Sequence, residues 1–222
     1  QPQKGIWDDS KIQGVTYTSV EDCIQAIKFL GTQKVLACDI ETRNTGYSKN
    51  KLLLLGIAYN DYDAIVISNF DDKVLQELQK LFDREDIVFV WQNGKFDTSR
   101  LLYLANLRAR IDEDTMLQHY AGINEHKGTH GLKDLGELYL QTPPWDDELN
   151  NFKRKWCLQN RVKMADFQYD MIPREVLVPY LYRDACATFQ LNKLFKTLMR
   201  PGSEGVYRSL IRAAIVFKEI EC

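Results

Sequence analysis

Short runs of apolar residues recur along the first half of the chain and are separated by polar stretches. The run that begins at Val35 predicts a buried strand, and the segments 52–59 and 62–67, separated by a short polar turn, predict a β-hairpin. Another apolar run at 87–91 predicts a fourth strand, and a short strand is expected to end near Ile111. The pattern therefore predicts five strands.

Apolar positions at helical spacing occupy several intervals between these strands and most of the second half. The helices that this spacing predicts lie at 20–30, 71–82, 94–106, 113–121, 132–140 and 174–199. Ser19 and Gly31 stand at the two ends of the first helix as capping residues, and Pro173 precedes the last. Strands come first and helices later, so we predict an α/β fold with a central mixed five-stranded sheet flanked by helices.

Two segments depart from this order. Residues 143–170 are charged and irregular, which indicates an adaptable surface segment. Residues 205–222 carry an apolar stripe at near-helical intervals, formed by Val206, Leu210, Ala213, Ala214, Phe217 and Ile220. We therefore expect one main domain over residues 1–200 and a separate helical segment over 201–222. Removal of residues 203–222 is then expected to leave thermal stability nearly intact.

Composition narrows the classes of function. The 29 basic and 31 acidic residues give a formal charge of −2, which argues against a uniformly cationic nucleic-acid coat and leaves only local basic patches. The five cysteines are odd in number and form no CxxC pair, so we predict reduced thiols. No apolar run reaches the ~20 residues that span a bilayer, and a secretory signal is missing. We expect an intracellular, cytoplasmic protein without a membrane partner; an organellar location stays open because the chain starts at Gln1.

Four carboxylates stand at the ends of predicted strands or on helices beside them. Period-2 alternation places Asp39 and Glu41 on one side of a strand, Asp97 lies in the first turn of a helix, and Tyr180 precedes Asp184 by one helical turn. Taken singly, each acid also fits a turn, a helix N-terminus or a solvated face. Oxygen ligands suit Mg²⁺ or Mn²⁺, and two ions about 3.5–4 Å apart stabilise the attacking and leaving oxygens of a phosphate displacement. The set therefore predicts a two-metal site for phosphodiester cleavage.

Three short motifs carry these residues. They are DIET at 39–42, QNGKFD at 92–97 and YLYRD at 180–184. With them, the chain from about residue 35 to 198 resembles the proofreading 3′→5′ exonuclease domain of family A DNA polymerases, the DNA polymerase I type, within the DEDD exonuclease superfamily of ribonuclease H-like fold. Weaker similarities are DTMLQHY from Asp114 and HGLKDLGELYL from His130.

The resemblance implies a role for each acid. Asp39, Glu41 and Asp184 would coordinate one metal ion. Asp39 would also bridge to a second ion, whose shell includes Asp97. Tyr180 would orient the attacking water, and a phenol that is neutral near pH 7 suits that task.

Substrate-binding residues are expected beside the acids. The resemblance places Glu41 on the terminal 3′-OH and Asn93 at the substrate end, with Thr42 and Gln92 as further candidates. A second group is the basic run formed by Lys153, Arg154 and Lys155. That run is either a solvated face or a contact for the phosphates of a single strand, and both interpretations stay open. The nearby Trp145 is expected to pin its segment to the core rather than to stack on a base.

Two other side chains compete for the water-orienting role. Tyr182 lies two residues from Asp184 and points elsewhere on a helix, so we predict that it packs in the core. A sister branch of the superfamily uses histidine in this role, which makes His130 a candidate, but that choice would leave the Tyr180 and Asp184 pair unused. We therefore favour Tyr180.

These observations predict a metal-dependent 3′→5′ exonuclease that hydrolyses single-stranded or frayed DNA ends to 5′-mononucleotides. The resemblance also implies a covalently linked polymerase domain, whose start would be the segment 201–222. A ribonuclease D-like RNA exonuclease is the first alternative, because only contacts to the 2′-OH distinguish the two backbones. A nucleic-acid-binding module without catalysis is the second.

Overall fold

A six-stranded mixed sheet forms the centre of the computed structural model, which describes residues 7–126, 128 and 130–221. Its strands are β1 (Gln13–Tyr17), β2 (Val35–Thr42), β3 (Leu52–Ala58), β4 (Asp63–Ile67), β5 (Val88–Trp91) and β6 (Glu113–Asp114). Their spatial order is β1-β4-β3-β2-β5-β6. The pairs that include β3 are antiparallel and the others are parallel. The predicted α/β class and the hairpin are confirmed.

Helices cover both faces of the sheet. They are α1 (Val20–Leu30), α2 (Asp72–Phe82), α3 (Gly94–Ala105), α4 (Thr115–Gly122), α5 (Leu132–Leu135), α6 (Asp147–Asn160), α7 (Arg174–Leu198) and α8 (Glu204–Glu221). A π-helical turn, Gly136–Leu140, continues α5. Among the helices in the described part of the chain, none combines the length and the apolar composition that spanning a bilayer requires.

Alternation along β2 sorts its side chains between two cores. Leu36, Cys38 and Ile40 pack into the larger core with residues of α1, α2, α3 and α8. Ala37 faces the opposite side, where it packs with residues of α7. Small side chains on that face allow α7 to lie directly on β2, β3 and β4. The same alternation turns Asp39 and Glu41 toward α7.

The number of strands differs from the five expected. The sheet gains β1, which pairs in parallel with β4 and is largely exposed, so its sequence carries little apolar alternation. The strand expected to end near Ile111 instead lies at Glu113–Asp114, within a predicted helix. Its last residue pairs with Trp91 and then caps α4, because the carboxylate of Asp114 accepts a hydrogen bond from Leu117 N at 3.1 Å.

The segment 143–170 is more regular than we expected. It contains α6 and two short 3₁₀ turns. Leu149 and Cys157 of α6 are buried in a cluster that also includes Leu177 of α7. The segment appeared irregular because so few of its residues are apolar that helical periodicity does not stand out.

The C-terminal helix α8 packs through a face other than the predicted stripe. Tyr207 and Ile211 are buried in the larger core, and the Tyr207 hydroxyl donates a 2.5 Å hydrogen bond to Glu113 Oε2. Val206 and Phe217 of the predicted stripe are exposed. The helix therefore contributes to this core, which contradicts the expectation that its removal is harmless. The domain boundary near residue 201 stays a prediction.

Candidate active site

Three elements deliver the predicted acids to one cavity of about 230 Å³. Strand β2 supplies Asp39 and Glu41, helix α3 supplies Asp97 in its first turn, and α7 supplies Tyr180 and Asp184. All of these residues line the cavity. The structure thus brings together side chains that are far apart in sequence.

Three of the carboxylates are close enough to share one cation. Ligand oxygens of Asp39, Glu41 and Asp184 all lie within 4.8 Å of one another. Because Mg²⁺ and Ca²⁺ bind oxygen at about 2.0–2.6 Å, two oxygen ligands of one ion lie at most about 4–5 Å apart, and these three oxygens are at or near that range. The donor set consists of hard oxygen atoms, so the residues fit a divalent cation.

Asp97 lies beside this group on the wall of the same cavity. Its Oδ1 accepts a hydrogen bond from the backbone N of Ile40 at 3.3 Å, which ties α3 to β2. Burial raises the pKa of Asp97 to about 8, although that hydrogen bond opposes the rise. Without a cation, Asp97 therefore keeps its proton to a higher pH than an exposed aspartate does.

Burial and mutual repulsion perturb the other acids as well. The pKa of Asp39 is raised well above its usual value by burial first and then by the nearby Asp97 and Asp184. The pKa of Glu41 is raised in the same way by burial and by Asp184, and Lys133 opposes the rise. Negative charge at this site is therefore under-compensated, which favours a bound cation.

Tyr180 faces these acids. Burial raises the pKa of its phenol well above 10, and the charges of Asp184, Glu41 and Asp39 raise it further. The phenol therefore stays protonated at physiological pH, and its hydroxyl can both donate and accept a hydrogen bond.

Asp184 has two donors that sequence reasoning did not assign to the site. Trp145 Nε1 donates a hydrogen bond of 2.6 Å to Asp184 Oδ1, and Lys133 Nζ forms an ion pair with the same oxygen. The ammonium group also lies 4.2 Å from the ring centroid of Tyr180 and 4.4 Å from that of Trp145. Lys133 lies in the HGLKDLGELYL segment, which was the one available signal. Trp145 is buried, as expected for a residue that pins its segment to the core.

Thr42, Gln92 and Asn93 line the cavity, but two of them make structural contacts. The Thr42 hydroxyl donates to the carbonyl of Asn44 at 2.7 Å. The Gln92 amide donates to the carbonyl of His130 at 2.7 Å and accepts from a threonine hydroxyl. Asn93 is exposed at the N-cap of α3 with a left-handed φ of 59°, so its side chain is open to a ligand.

Only one member of the basic run approaches the cavity. Lys153 Nζ donates to the hydroxyl of Tyr169 at 3.2 Å, and Tyr169 is part of the cavity wall. Arg154 and Lys155 are exposed on α6. Phosphate binding by these three residues stays a prediction, which Lys153 is the best placed to fulfil.

The two competing side chains lie elsewhere. Tyr182 packs on β1, with its hydroxyl 2.7 Å from that of Thr16, which agrees with a packing role. His130 shares a 2.7 Å hydrogen bond with His119 through their Nδ1 atoms. His119 in turn contacts the hydroxyl of Tyr139, so this pair belongs to a separate polar cluster and not to the cavity.

Comparison with known proteins identifies relatives over most of the chain. A family model described as 3′-5′ exonuclease, of the DNA polymerase A type, matches residues 15–200. The chain is 34% identical over 168 residues to a DNA polymerase of Escherichia phage T5, which covers 72% of the chain and 20% of that protein. It is 31% identical over 134 residues to a DNA polymerase of Bacillus phage SP01, covering 59% and 13%. The chain thus spans at most about a fifth of these curated relatives.

Solved structures share the fold at low sequence identity. Brucella melitensis NrnC with bound Mg²⁺ has a TM-score of 0.66 at 14% identity, covering 94% of this chain and 90% of that one. Escherichia coli RNase D, an exoribonuclease involved in structured RNA processing, has a TM-score of 0.67 at 12% identity, covering 95% and 51%. These similarities confirm the ribonuclease H-like fold that the motifs imply.

Proposed function

The chain belongs to the 3′-5′ exonuclease family of the DNA polymerase A type, and we propose that it hydrolyses single-stranded or frayed DNA ends to 5′-mononucleotides with two bound Mg²⁺ or Mn²⁺ ions. One observation carries the proposal. The oxygens of Asp39, Glu41 and Asp184, from two separate elements, converge within 4.8 Å on a buried wall. Burying several acids together is energetically costly, and a bound cation offsets this cost by neutralising their charge.

The carboxylates divide between two cation positions. Asp39, Glu41 and Asp184 would hold the first, and Asp97 with Asp39 would hold the second, since both line the same cavity and the charge of Asp97 contributes to the raised pKa of Asp39. When bound, such cations lower the pKa of a water molecule and neutralise charge on the transferred phosphate. The elevated pKa values of the acids then fall, because the cations favour the charged carboxylates.

Tyr180 would position the attacking water. It remains a neutral phenol at working pH, so it accepts or donates a hydrogen bond without adding negative charge beside the phosphate. Its place on α7, one turn before Asp184, keeps it on the side of the helix that faces the acids. Tyr180 would therefore position the water without binding a cation, and removal of its hydroxyl would leave the cation ligands in place.

The substrate strand would enter from the exposed side of the cavity. Asn93 is exposed at the rim, and Tyr169 separates the cavity from a neighbouring groove of about 790 Å³. Lys153 rests on the ring of Tyr169, 4.6 Å from its centroid, where it can meet a phosphate. We propose that this groove accepts nucleotides beyond the terminal one, because it adjoins the cavity at Tyr169.

The relatives support DNA as the substrate. Both phage proteins are named DNA polymerases, and the chain matches a minor part of each, so we propose that it is the proofreading part of a longer polymerase. The exposed apolar side chains of α8, which include Val206, Phe217 and Ile220, are available to a following domain. RNA is the second candidate, because RNase D shares the fold.

A time course on end-labelled single-stranded DNA with and without Mg²⁺ tests the proposal. We expect shortening from the 3′ end, release of 5′-mononucleotides and no reaction in a chelator. A parallel digestion of RNA of the same sequence decides between the two substrates, and faster loss of the RNA would favour the ribonuclease alternative. Binding without cleavage at any metal concentration would instead favour the non-catalytic module.

A further inference from the structure

Lys133 is a basic residue that forms an ion pair with one of the acids of the cavity. It lies on the short helix α5, and its Nζ pairs with Asp184 Oδ1 while resting against the rings of Tyr180 and Trp145. Its side chain is 30% exposed, whereas that of Asp184 is 6% exposed. The ammonium group therefore reaches inward from the surface to a buried acid.

Lys133 competes with a metal ion for the carboxylate of Asp184. Asp184 Oδ1 accepts from both Lys133 and Trp145, so two donors already fill the oxygen. Asp184 belongs to the group of oxygens that would hold a divalent cation. An ammonium group and a divalent cation at one carboxylate repel each other, and this repulsion is strong because Lys133 and Asp184 are largely shielded from water.

We propose that Lys133 is a built-in counter-ion that occupies Asp184 before the cation binds and must move away from it for full coordination. This inference rests on the proposed function of the cavity. In the cation-free protein, Lys133 acts as a positioning residue, since its ammonium group contacts both the Asp184 carboxylate and the Tyr180 ring. In the cation-bound protein, Lys133 no longer contacts Asp184. Because this contact must first be broken, Lys133 lowers the apparent affinity for the cation.

The expected effect follows from the population of the ion pair. If the pair is formed about nine-tenths of the time, the apparent Kd is about tenfold higher than the intrinsic Kd, because only the remaining population binds freely. Replacing Lys133 by methionine keeps an unbranched chain against the two aromatic rings and removes the charge. Cation binding should then tighten by about tenfold.

Calorimetric titration with Mn²⁺ measures this directly. The Lys133→Met variant is compared with the wild type and with Lys193→Met, which removes one charge from the same protein at an exposed pair with Asp61. We expect a lower Kd for Lys133→Met and an unchanged Kd for Lys193→Met. An equal or higher Kd in Lys133→Met would overturn the inference, because loss of a merely structural residue weakens binding.

Thermal denaturation gives a second readout. In a chelator, Lys133→Met should melt at a lower temperature than Lys193→Met, because the acids have lost their counter-ion, and saturating Mn²⁺ should abolish the difference. If Lys133→Met does not fold, Lys133→Arg is measured instead. This variant keeps the positive charge, so it should bind Mn²⁺ as weakly as the wild type does. Tighter binding by Lys133→Arg would refute the proposed competition. A wild type that binds no Mn²⁺ refutes the proposed metal site itself, and binding with equal Kd values refutes only the role of Lys133.

Discussion

Replacement of Gly56 by alanine should damage activity more than stability. Gly56 lies on β3 directly opposite Asp39 of β2, and helix α7 crosses the strand at this position. A Cβ placed on Gly56 would lie 2.7 Å from Cγ and 3.0 Å from Cδ1 of Leu181. Carbon atoms normally pack about 3.5–4.0 Å apart, so α7 or Leu181 must move by about 1 Å.

The shift is transmitted to the site because Leu181 adjoins Tyr180 and precedes Asp184 by one turn. Leu181 is fully buried, and close-packed protein interiors have few voids into which such a side chain can move. Moving α7 away from the sheet therefore separates Tyr180 and Asp184 from the acids of β2. A displacement of about 1 Å costs on the order of 10²-fold in rate, or about 2.7 kcal/mol of transition-state stabilisation.

The stability cost should be smaller. Overpacking costs about 1–3 kcal/mol, and a loss of about 0.4–1 kcal/mol in unfolded-chain freedom offsets part of it. For a protein of 222 residues, each kcal/mol shifts Tm by about 2–4 °C, so a drop of a few degrees is expected. Gly56→Ala should therefore remain folded at assay temperature while its rate falls.

The assay is the initial rate of nucleotide release from labelled single-stranded DNA at saturating Mg²⁺, with Tm measured on the same samples. Gly205→Ala on α8 is the matched control, since a Cβ there meets no atom within 4 Å, and it should keep full activity. Adding Leu181→Ala to Gly56→Ala restores space and should recover part of the lost rate. A wild-type rate in Gly56→Ala would show that this close approach does not set the spacing of the acids.

Four further predictions concern individual groups. Asp39→Ala combined with Glu41→Ala should abolish cleavage, and its Tm in a chelator should equal or exceed that of the wild type because clustered charge is removed. Tyr180→Phe should lower kcat by about 10²-fold, less than the double variant, with Mn²⁺ affinity unchanged in calorimetry. Because the folded-state pKa of Asp97, about 8, exceeds its usual value of 3.8, Asp97 stabilises the cation-free fold at low pH. That contribution is lost as pH rises from about 4 to 8, so Asp97→Asn should flatten the fall of Tm with pH in a chelator. Tyr207→Phe should lower the free energy of unfolding by about 1–3 kcal/mol in urea titration, because the buried Glu113 carboxylate loses one of its hydrogen bonds and the backbone N–H of Asp114 loses its acceptor.

The acids could be predicted from sequence because each lies in a local context that its neighbours define. Asp39 and Glu41 follow a buried run at spacing i, i+2, and Tyr180 and Asp184 share a helix at spacing i, i+4. Period and spacing are short-range properties, and the structure reproduces them. The convergence of the three elements was implied by the family resemblance rather than by any of these local patterns.

The donors to Asp184 could not be predicted, because they depend on tertiary contacts. Lys133 and Trp145 lie 51 and 39 residues before it in the chain. Neither has a spacing relation to the acids, and a surface lysine is the ordinary interpretation of Lys133. The buried face of α8 was misjudged for a related reason. Apolar side chains such as Ile211 and Phe217 lie on both sides of that helix, and periodicity alone does not show which side the core covers.

The seating of α7 and the binding of a cation are linked by thermodynamics. A cation held jointly by Asp39 of β2 and Asp184 of α7 stabilises the arrangement in which the helix lies close to the sheet. This coupling is reciprocal. A change that moves α7 away from the sheet must therefore weaken cation binding, and the loss of binding free energy equals the free energy by which the bound cation resists that movement. Gly56→Ala should therefore raise the Kd for Mn²⁺ as well as lower the rate. Its Tm should lie below that of the wild type, and saturating Mn²⁺ should reduce this difference only to the extent that the bound cation restores the position of α7. The close approach of α7 to Gly56 of the sheet is thus expected to contribute to the cation affinity of the site.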